Sequence, residues 1–143
     1  INSEKFDFCV VNYANADMVG HTGNFPAIIQ AIEAVDRCLG DLIDAVLATN
    51  GAMLITADHG NAEEKLDLQT GFIIKEHSTN PVPFMVIGSE WENHASSLAL
   101  GNDLSSLTPI GLLSDIAPTI LTIMGLDKPA DMTGQNLLKY IKN

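Results

Sequence analysis

Residues 52–63 read AMLITADHGNAE, an apolar run that leads directly into an aspartate and a histidine. The run is short, aliphatic and preceded by the turn pair Asn50-Gly51, which favours a buried β-strand over a helix. Polar side chains that follow a strand of an open α/β sheet emerge at its carboxyl edge, where such folds bind ligands. Asp58 and His59 are therefore predicted to lie at a metal site, although such a pair also occurs as a turn cap beside a surface histidine.

The length and composition of the chain indicate one globular unit. Its 143 residues can bury roughly two thirds of their extended surface, which is enough for a core without disulfides. Hydrophobic residues make up 46% and charged residues 17%, an ordinary globular balance. No apolar run reaches the roughly twenty residues of a bilayer-spanning helix. Residues 1–5 (INSEK) lack an initiator methionine and a signal pattern, so we expect a fragment of a longer chain.

Charge and cysteine content restrict the partners and the compartment. The net charge of −11, with Arg37 as the only arginine, argues against binding to nucleic acid or to an anionic membrane surface. Cys9 and Cys38 show no metal or redox spacing, which favours reduced thiols in a cytoplasmic protein. The acidic composition also leaves few cationic groups with which to bind a phosphate ester.

A second strand-like run, residues 6–12 (FDFCVVN), is followed by Asp17 and His21, which are four residues apart. On a helical turn this spacing places both side chains on one face, within reach of a common ion. A carboxylate and an imidazole suit a divalent first-row metal, although i,i+4 pairs of this kind also form simple surface hydrogen bonds.

The order of elements predicts the fold class. Residues 24–49 carry apolar side chains at spacings of three and four, which predicts a long amphipathic helix capped by Asn24. A strand, a helix and a strand in succession predict a βαβ unit with parallel strands. We therefore expect an α/β fold with a mostly parallel sheet sandwiched by helices. Further elements are predicted as strands at 72–74, 82–87 and 103–107 and as helices at 116–124, capped by Asp115, and 133–141.

The two remaining histidines differ in their surroundings. His77 precedes the strand predicted at 82–87, and the long loop before it could carry the side chain over the edge of the sheet. The alternative is an exposed loop histidine. His94 lies in a polar loop without a partner motif and is assigned no role, while Asp115 and Asp131 are interpreted as cap and turn residues.

Several motifs together resemble the carboxyl-terminal part of the cofactor-independent phosphoglycerate mutase family, in the alkaline phosphatase superfamily. They are NADMVGHTG at 15–23, TADHGNAE at 56–63, NPVP at 80–83 after His77, SDIAPT at 114–119 and DMTG at 131–134. The resemblance runs nearly end to end. One departure is the lead-in to His77, residues 72–76, which is more apolar than the family pattern.

The resemblance implies an alkaline phosphatase-like fold that is only partly present. Residues 1–143 would form the carboxyl-terminal part of the metal-binding domain, with the nucleophile segment and the substrate-clamp domain outside the chain. Asp17, His21 and His77 would bind one divalent metal, commonly manganese. Asp58 and His59 would bind a second, completed by an aspartate and the nucleophilic serine from elsewhere in the enzyme. No 2,3-bisphosphoglycerate is required.

The activity implied is interconversion of 3-phosphoglycerate and 2-phosphoglycerate through a phosphoserine, in glycolysis, by a cytoplasmic and monomeric enzyme. The isolated chain is expected to be inactive because the serine lies outside it. Two alternatives stay open at this stage. One is a metal-dependent hydrolase of phosphate or sulfate esters from the same superfamily, and the other is a non-catalytic metal-binding domain.

Overall fold

The computed structural model describes residues 1–92 and 108–141. Within these ranges lie three α-helices and two strands: α1 (Asn15–Gly20), α2 (Phe25–Ala48), β1 (Met53–Thr56), β2 (Phe84–Ile87) and α3 (Ile116–Ile123). Short 3-10 helices span Ser89–Trp91, Leu113–Asp115 and Leu137–Tyr140. Helices combined with a small sheet confirm the α/β class. None of the described helices is long and apolar enough to cross a membrane.

The long helix forms where its sequence predicts it. The side chain of Asn24 accepts a hydrogen bond of 3.2 Å from the Ala27 N–H, and Pro26 lies in the first turn, where no intrahelical N–H is lost. Ile28 and Val46 of α2 are buried, and α1 packs against the same helix. This packing fixes the position of α1, which carries the predicted Asp-His pair.

The sheet differs from the prediction. β1 and β2 are antiparallel, with Met53 opposite Ile87 and Thr56 opposite Phe84. Residues 6–12 form no strand, and Phe6 and Val10 are 73% and 79% exposed. A β-rich sequence becomes a strand only beside a partner that supplies ladder hydrogen bonds, and no described strand pairs with this segment. The expected βαβ unit and the mostly parallel sheet are therefore wrong for the described part of the chain.

The antiparallel pairing arises because residues 53–87 form one long, irregular hairpin, here called the long hairpin. Two isolated antiparallel bridges, Gly60 with Ser78 and Leu66 with Ile73, continue the pairing beyond the strands. At the tip, the Gly71 N–H donates to the Asp67 carbonyl at 2.7 Å, and Gly71 has a φ of +72°, which favours glycine. Without a crossover helix the chain reverses direction, and its arms pair antiparallel. The strand predicted at 72–74 is reduced to the single bridge at Ile73.

The end of the described chain is held together by two polar side chains. Thr119 is fully buried; its hydroxyl donates to the Asp115 carbonyl at 2.7 Å and accepts from the Leu137 N–H at 2.9 Å. The Asp115 carboxylate accepts from the N–H groups of Leu112 and Gln135, and these bonds hold the pKa of Asp115 below its usual range. Asp115 thus joins two segments and does not cap α3 with its side chain, which corrects the prediction. The strand predicted at 103–107 and His94 lie outside the described residues.

The buried hydroxyl of Thr119 leads to a stability prediction. Thr119→Val leaves the Leu137 N–H buried without its acceptor, so the free energy of unfolding should fall by about 1–3 kcal/mol in urea denaturation. The matched control is Thr122→Val in the same helix. The Thr122 hydroxyl only donates to the Pro118 carbonyl, at 3.0 Å, and its removal should cost less than about 1 kcal/mol. Equal losses in the two variants would contradict this assignment.

Candidate metal centre

Three side chains that are far apart in sequence meet at one point. Asp17 lies in α1, His21 follows α1 directly, and His77 comes from the long hairpin. Asp17 Oδ1 is 3.3 Å from His21 Nε2 and 3.3 Å from His77 Nε2, and the two Nε2 atoms are 3.1 Å apart. These three atoms are called the ligand triangle below. All three side chains are partly exposed, so the triangle is open to solvent.

The returning arm of the long hairpin carries His77 to α1. The Lys75 carbonyl on this arm accepts a hydrogen bond of 2.7 Å from His21 Nδ1, which ties the arm to the end of α1. One residue beyond His77, the Ser78 N–H donates to the Gly60 carbonyl at 2.9 Å. His77 therefore lies between two backbone contacts, which explains how a residue that precedes a strand reaches the site.

The hydrogen bond from His21 also determines where its lone pair points. A carbonyl can only accept, so Nδ1 carries the proton and Nε2 of the neutral ring faces the triangle with a lone pair. The other ring nitrogen of a metal-binding histidine is commonly held by a backbone carbonyl in this way. The lone pairs of Asp17 and His21 thus point toward each other and repel. A cation or a proton bound between the two atoms would remove this repulsion.

The size of the triangle fits a first-row divalent ion. Atoms that bind one such ion at about 2.1 Å are themselves about 3 to 3.4 Å apart. The observed separations of 3.1 and 3.3 Å lie in this range. One carboxylate and two imidazoles are ligands that Mn²⁺, Fe²⁺, Co²⁺ and Zn²⁺ all accept. The donor set therefore fits a metal without selecting among these ions.

The other predicted pair, Asp58 and His59, differs in its distance from the site, because only His59 contacts it. The His59 ring stacks on His77 with centroids 3.7 Å apart and an angle of 17° between the planes. Ligand atoms of Asp17, His59 and His77 lie within 4.8 Å of one another. The Asp58 side chain is 88% exposed, with Oδ1 3.7 Å from His59 Nε2. His59 thus joins the cluster around His77, and Asp58 stays at its margin.

Two different ligand sets can therefore be drawn around Asp17 and His77, one with His21 and one with His59. The ligand atoms of the set with His59 lie within 4.8 Å of one another, whereas no separation in the ligand triangle exceeds 3.3 Å. The shorter separations suit a single ion better. We therefore take the ligand triangle as the better formed site, with His59 beside it.

Asn61 belongs to the site although its residue type did not indicate it. It is only 5% exposed, and its Nδ2 donates to Asp17 Oδ1 at 2.6 Å. This hydrogen bond is the main reason why the pKa of Asp17 is lowered; burial opposes the shift, and the neighbouring imidazoles of His21, His77 and His59 add to it. The amide stands two residues after His59 in the sequence, but an asparagine is not a typical ligand of these metals.

The two arms of the long hairpin are clamped by Glu63. Its carboxylate accepts from the Asn61 N–H at 2.8 Å, from the Ser78 hydroxyl and from the Asn80 side-chain amide at 3.2 Å. Burial by itself raises the pKa of Glu63, but these hydrogen bonds outweigh it and the pKa is lowered. The clamp joins the segment after His59 to the segment after His77, and so it holds the two rings together.

The clamp predicts how stability depends on pH. Because the pKa of Glu63 is lowered on folding, its contribution is complete above the ordinary glutamate value of 4.5 and is lost as the pH falls through the folded value. Glu63→Gln should therefore lower the free energy of unfolding at pH 7 by up to about 1 kcal/mol, since the exposed group is screened. The difference from the wild type should shrink below pH 4.5, as measured by urea denaturation at several pH values.

Glu64→Gln is the control for this clamp. The Glu64 carboxylate contacts the Asn80 amide at 3.1 Å and has no hydrogen bond to Ser78 or to the Asn61 backbone. The control should therefore cost less stability than Glu63→Gln at pH 7. A loss in Glu63→Gln that stays constant from pH 7 down to pH 3 would contradict the role given to the carboxylate.

Comparisons with known proteins agree with a cluster of metal-ligand side chains. They also confirm the resemblance to the cofactor-independent phosphoglycerate mutase family that the motifs indicated. The 2,3-bisphosphoglycerate-independent phosphoglycerate mutase of Clostridioides difficile is 51% identical over 138 residues, which are 96% of this chain and 25% of that protein. The enzyme of the same name from Acetivibrio thermocellus is 49% identical over 138 residues, covering 96% and 24%. The chain thus spans about a quarter of the length of these curated relatives.

A solved structure and a family model point the same way. The phosphoglycerate mutase of Leishmania mexicana, solved at low cobalt concentration, has a TM-score of 0.71 and 28% identity, covering 94% of this chain and 25% of that one. The model of the metalloenzyme superfamily matches residues 1–128. With nearly the whole chain matched and a carboxylate and imidazoles converging in its structure, the protein belongs to the metalloenzyme superfamily.

Proposed function

We propose that this chain is the carboxyl-terminal, metal-binding part of a 2,3-bisphosphoglycerate-independent phosphoglycerate mutase. The parent protein would interconvert 3-phosphoglycerate and 2-phosphoglycerate through a phosphoserine. The observation that carries the proposal is the ligand triangle of Asp17, His21 and His77, in a chain that is similar along its length to enzymes of that name. A role in glycolysis, a cytoplasmic location and a monomeric parent enzyme are parts of the same proposal.

The metals of the proposal are two divalent ions, with manganese as the resident metal. Asp17, His21 and His77 would hold one of them. Asp58 and His59 would contribute to the second, together with groups outside the chain. When bound, the ions would neutralise charge on the transferring phosphoryl group. The cobalt with which the Leishmania mexicana phosphoglycerate mutase was solved supports a first-row metal in the family.

The side chains of this protein would prepare the site for such ions. Asn61 donates to Asp17 and favours its ionised form, so an anionic ligand is ready at neutral pH. The carbonyl of Lys75 fixes the ring of His21 with Nε2 free to bind. The stacked His59 covers one face of His77 and limits its rotation. Because these contacts already hold the side chains in place, less conformational entropy would be lost when a metal ion binds.

The acidic composition supports a division of labour in the parent enzyme. With Arg37 as the only arginine and a net charge of −11, the chain offers little to bind a phosphorylated and carboxylated substrate. Groups that bind 2- and 3-phosphoglycerate, and the nucleophilic serine, would come from other parts of the parent protein. Under this proposal the isolated chain binds metal and turns over no phosphoglycerate.

Metal titration tests the site itself. Mn²⁺ added to the chain in a calorimeter should bind, and His21→Ala or His77→Ala should each weaken the affinity at least about tenfold, because each removes one atom of the triangle. Asp58→Ala is the control and should change the affinity less than about threefold, because its carboxylate lies at the margin, 88% exposed. Binding should also weaken below about pH 6, where protons compete for the imidazoles. Equal effects of all three substitutions, or no change between about pH 5 and 8, would count against the assignment.

A chimera tests the reaction. This chain would replace the matching 138 residues of the Clostridioides difficile relative, and the product would be assayed by phosphorus NMR without added 2,3-bisphosphoglycerate. The chimera should interconvert 3- and 2-phosphoglycerate, the same chimera with His77→Ala should lose at least about 100-fold in rate, and the chain alone should show no turnover. Release of inorganic phosphate alone would favour the ester hydrolase. A folded, metal-binding chimera without any turnover would contradict the proposal.

A further inference from the structure

A buried lysine lies behind the ligand triangle. Lys65 is 6% exposed, which is unusual because lysine is rarely buried unless its ammonium is satisfied. Its Nζ donates to Asn61 Oδ1, and none of the ion pairs found among the described residues includes it. The Lys65 ammonium therefore donates to a neutral amide, while its charge also acts on the Glu76 carboxylate from beyond ion-pair distance.

The contact with Lys65 determines which way the Asn61 amide faces. An ammonium is only a donor, so it selects the oxygen of the amide and leaves the NH2 group for the other side. On that side the NH2 donates to Asp17 Oδ1 at 2.6 Å. In the reversed orientation the NH2 would face the Lys65 ammonium, and the amide oxygen would face the carboxylate. Both contacts would be repulsive.

Gly20 supplies the space in which this amide lies. A Cβ atom added at Gly20 would come within 2.5 Å of Asn61 Oδ1 and 2.9 Å of Asn61 Cγ, closer than real Cβ contacts allow. The helix that carries Asp17 can approach the amide because this position has no side chain. The close approach and the lysine together confine Asn61 to one place and one orientation.

We propose that Lys65 is a positioning residue for the metal centre, acting through Asn61 on Asp17. The ammonium orients the amide, and the amide holds the Asp17 carboxylate so that Oδ1 stays in the ligand triangle. The effect on metal binding rests on the proposed function, whereas the orientation of the amide does not. Outer contacts of this type commonly change metal affinity by about 10- to 100-fold.

The first test compares two lysines. Lys65→Met keeps a long chain and removes the donor, and it should weaken Mn²⁺ binding about tenfold or more in calorimetry. Lys5→Met removes the same charge from an exposed lysine that has no part in the site, and it should change the affinity less than about threefold. A matching loss in both variants would show that only the total charge matters and would overturn the proposal.

A double-variant cycle separates positioning from other effects. With Asn61→Ala already in place, Lys65→Met should cause no further loss of affinity beyond about twofold, because the lysine then has no amide to orient. In the metal-free chain, the proton and nitrogen resonances of the Asn61 side-chain amide should shift on Lys65→Met and stay unchanged on Lys5→Met. An undiminished effect of Lys65→Met without Asn61, or unshifted amide resonances, would overturn the proposal.

A further measurement needs no substitution of Lys65, in case that variant does not fold. The Lys65 ammonium protons of the metal-free wild type should exchange slowly with water, and Asn61→Ala should accelerate the exchange. Fast exchange in the wild type would overturn the proposal. A wild-type chain that binds no Mn²⁺ would contradict the proposed function, and these resonances would still decide whether Lys65 orients the amide.

Discussion

The backbone hydrogen bond between Ser78 and Gly60, 2.9 Å long, is the contact on which the site depends. It joins the two arms of the long hairpin just beyond β1 and β2. Side chains next to a bridged antiparallel pair share one face, so His59 and His77 come together and stack. Without this pairing His77 would keep the contact of Lys75 with His21 but lose the backbone bond that follows it, and its ring would no longer be placed beside His59.

Around this contact, polar side chains form a chain of hydrogen bonds that begins at Asp17. Its carboxylate oxygen accepts from Asn61, and Asn61 accepts from the buried Lys65. The Glu63 carboxylate holds the backbone of Asn61 and the Ser78 hydroxyl, so the same few residues fix both arms. Each donor faces an acceptor, which is the condition under which buried polar groups stabilise a fold. The ligand triangle differs, because the lone pairs of Asp17 and His21 converge there, an arrangement that fits the proposed metal site.

The elements that the sequence predicted correctly depend on local chemistry. The spacing of apolar residues and the Asn24 cap defined α2 to within a residue or two, and short apolar runs located β1 and β2. The i,i+4 spacing of Asp17 and His21 placed both side chains on one side of α1. These features are encoded by residues that are close in sequence, and so periodicity and capping reveal them without knowledge of the tertiary fold.

Other features depended on contacts between distant segments. Three predictions were wrong: the parallel pairing of the strands, a strand at residues 6–12, and the capping role of Asp115. Each of these features is decided by which segment of the folded chain packs beside the residues concerned. Asn61 and Lys65 joined the site only through the close approach of α1 at Gly20. The residue types and spacings along the chain thus indicated the candidate metal ligands, the helices and the family resemblance. The arrangement of those ligands around one point was set only when the long hairpin folded back, because hydrogen bonds between its arms have no counterpart in local sequence pattern.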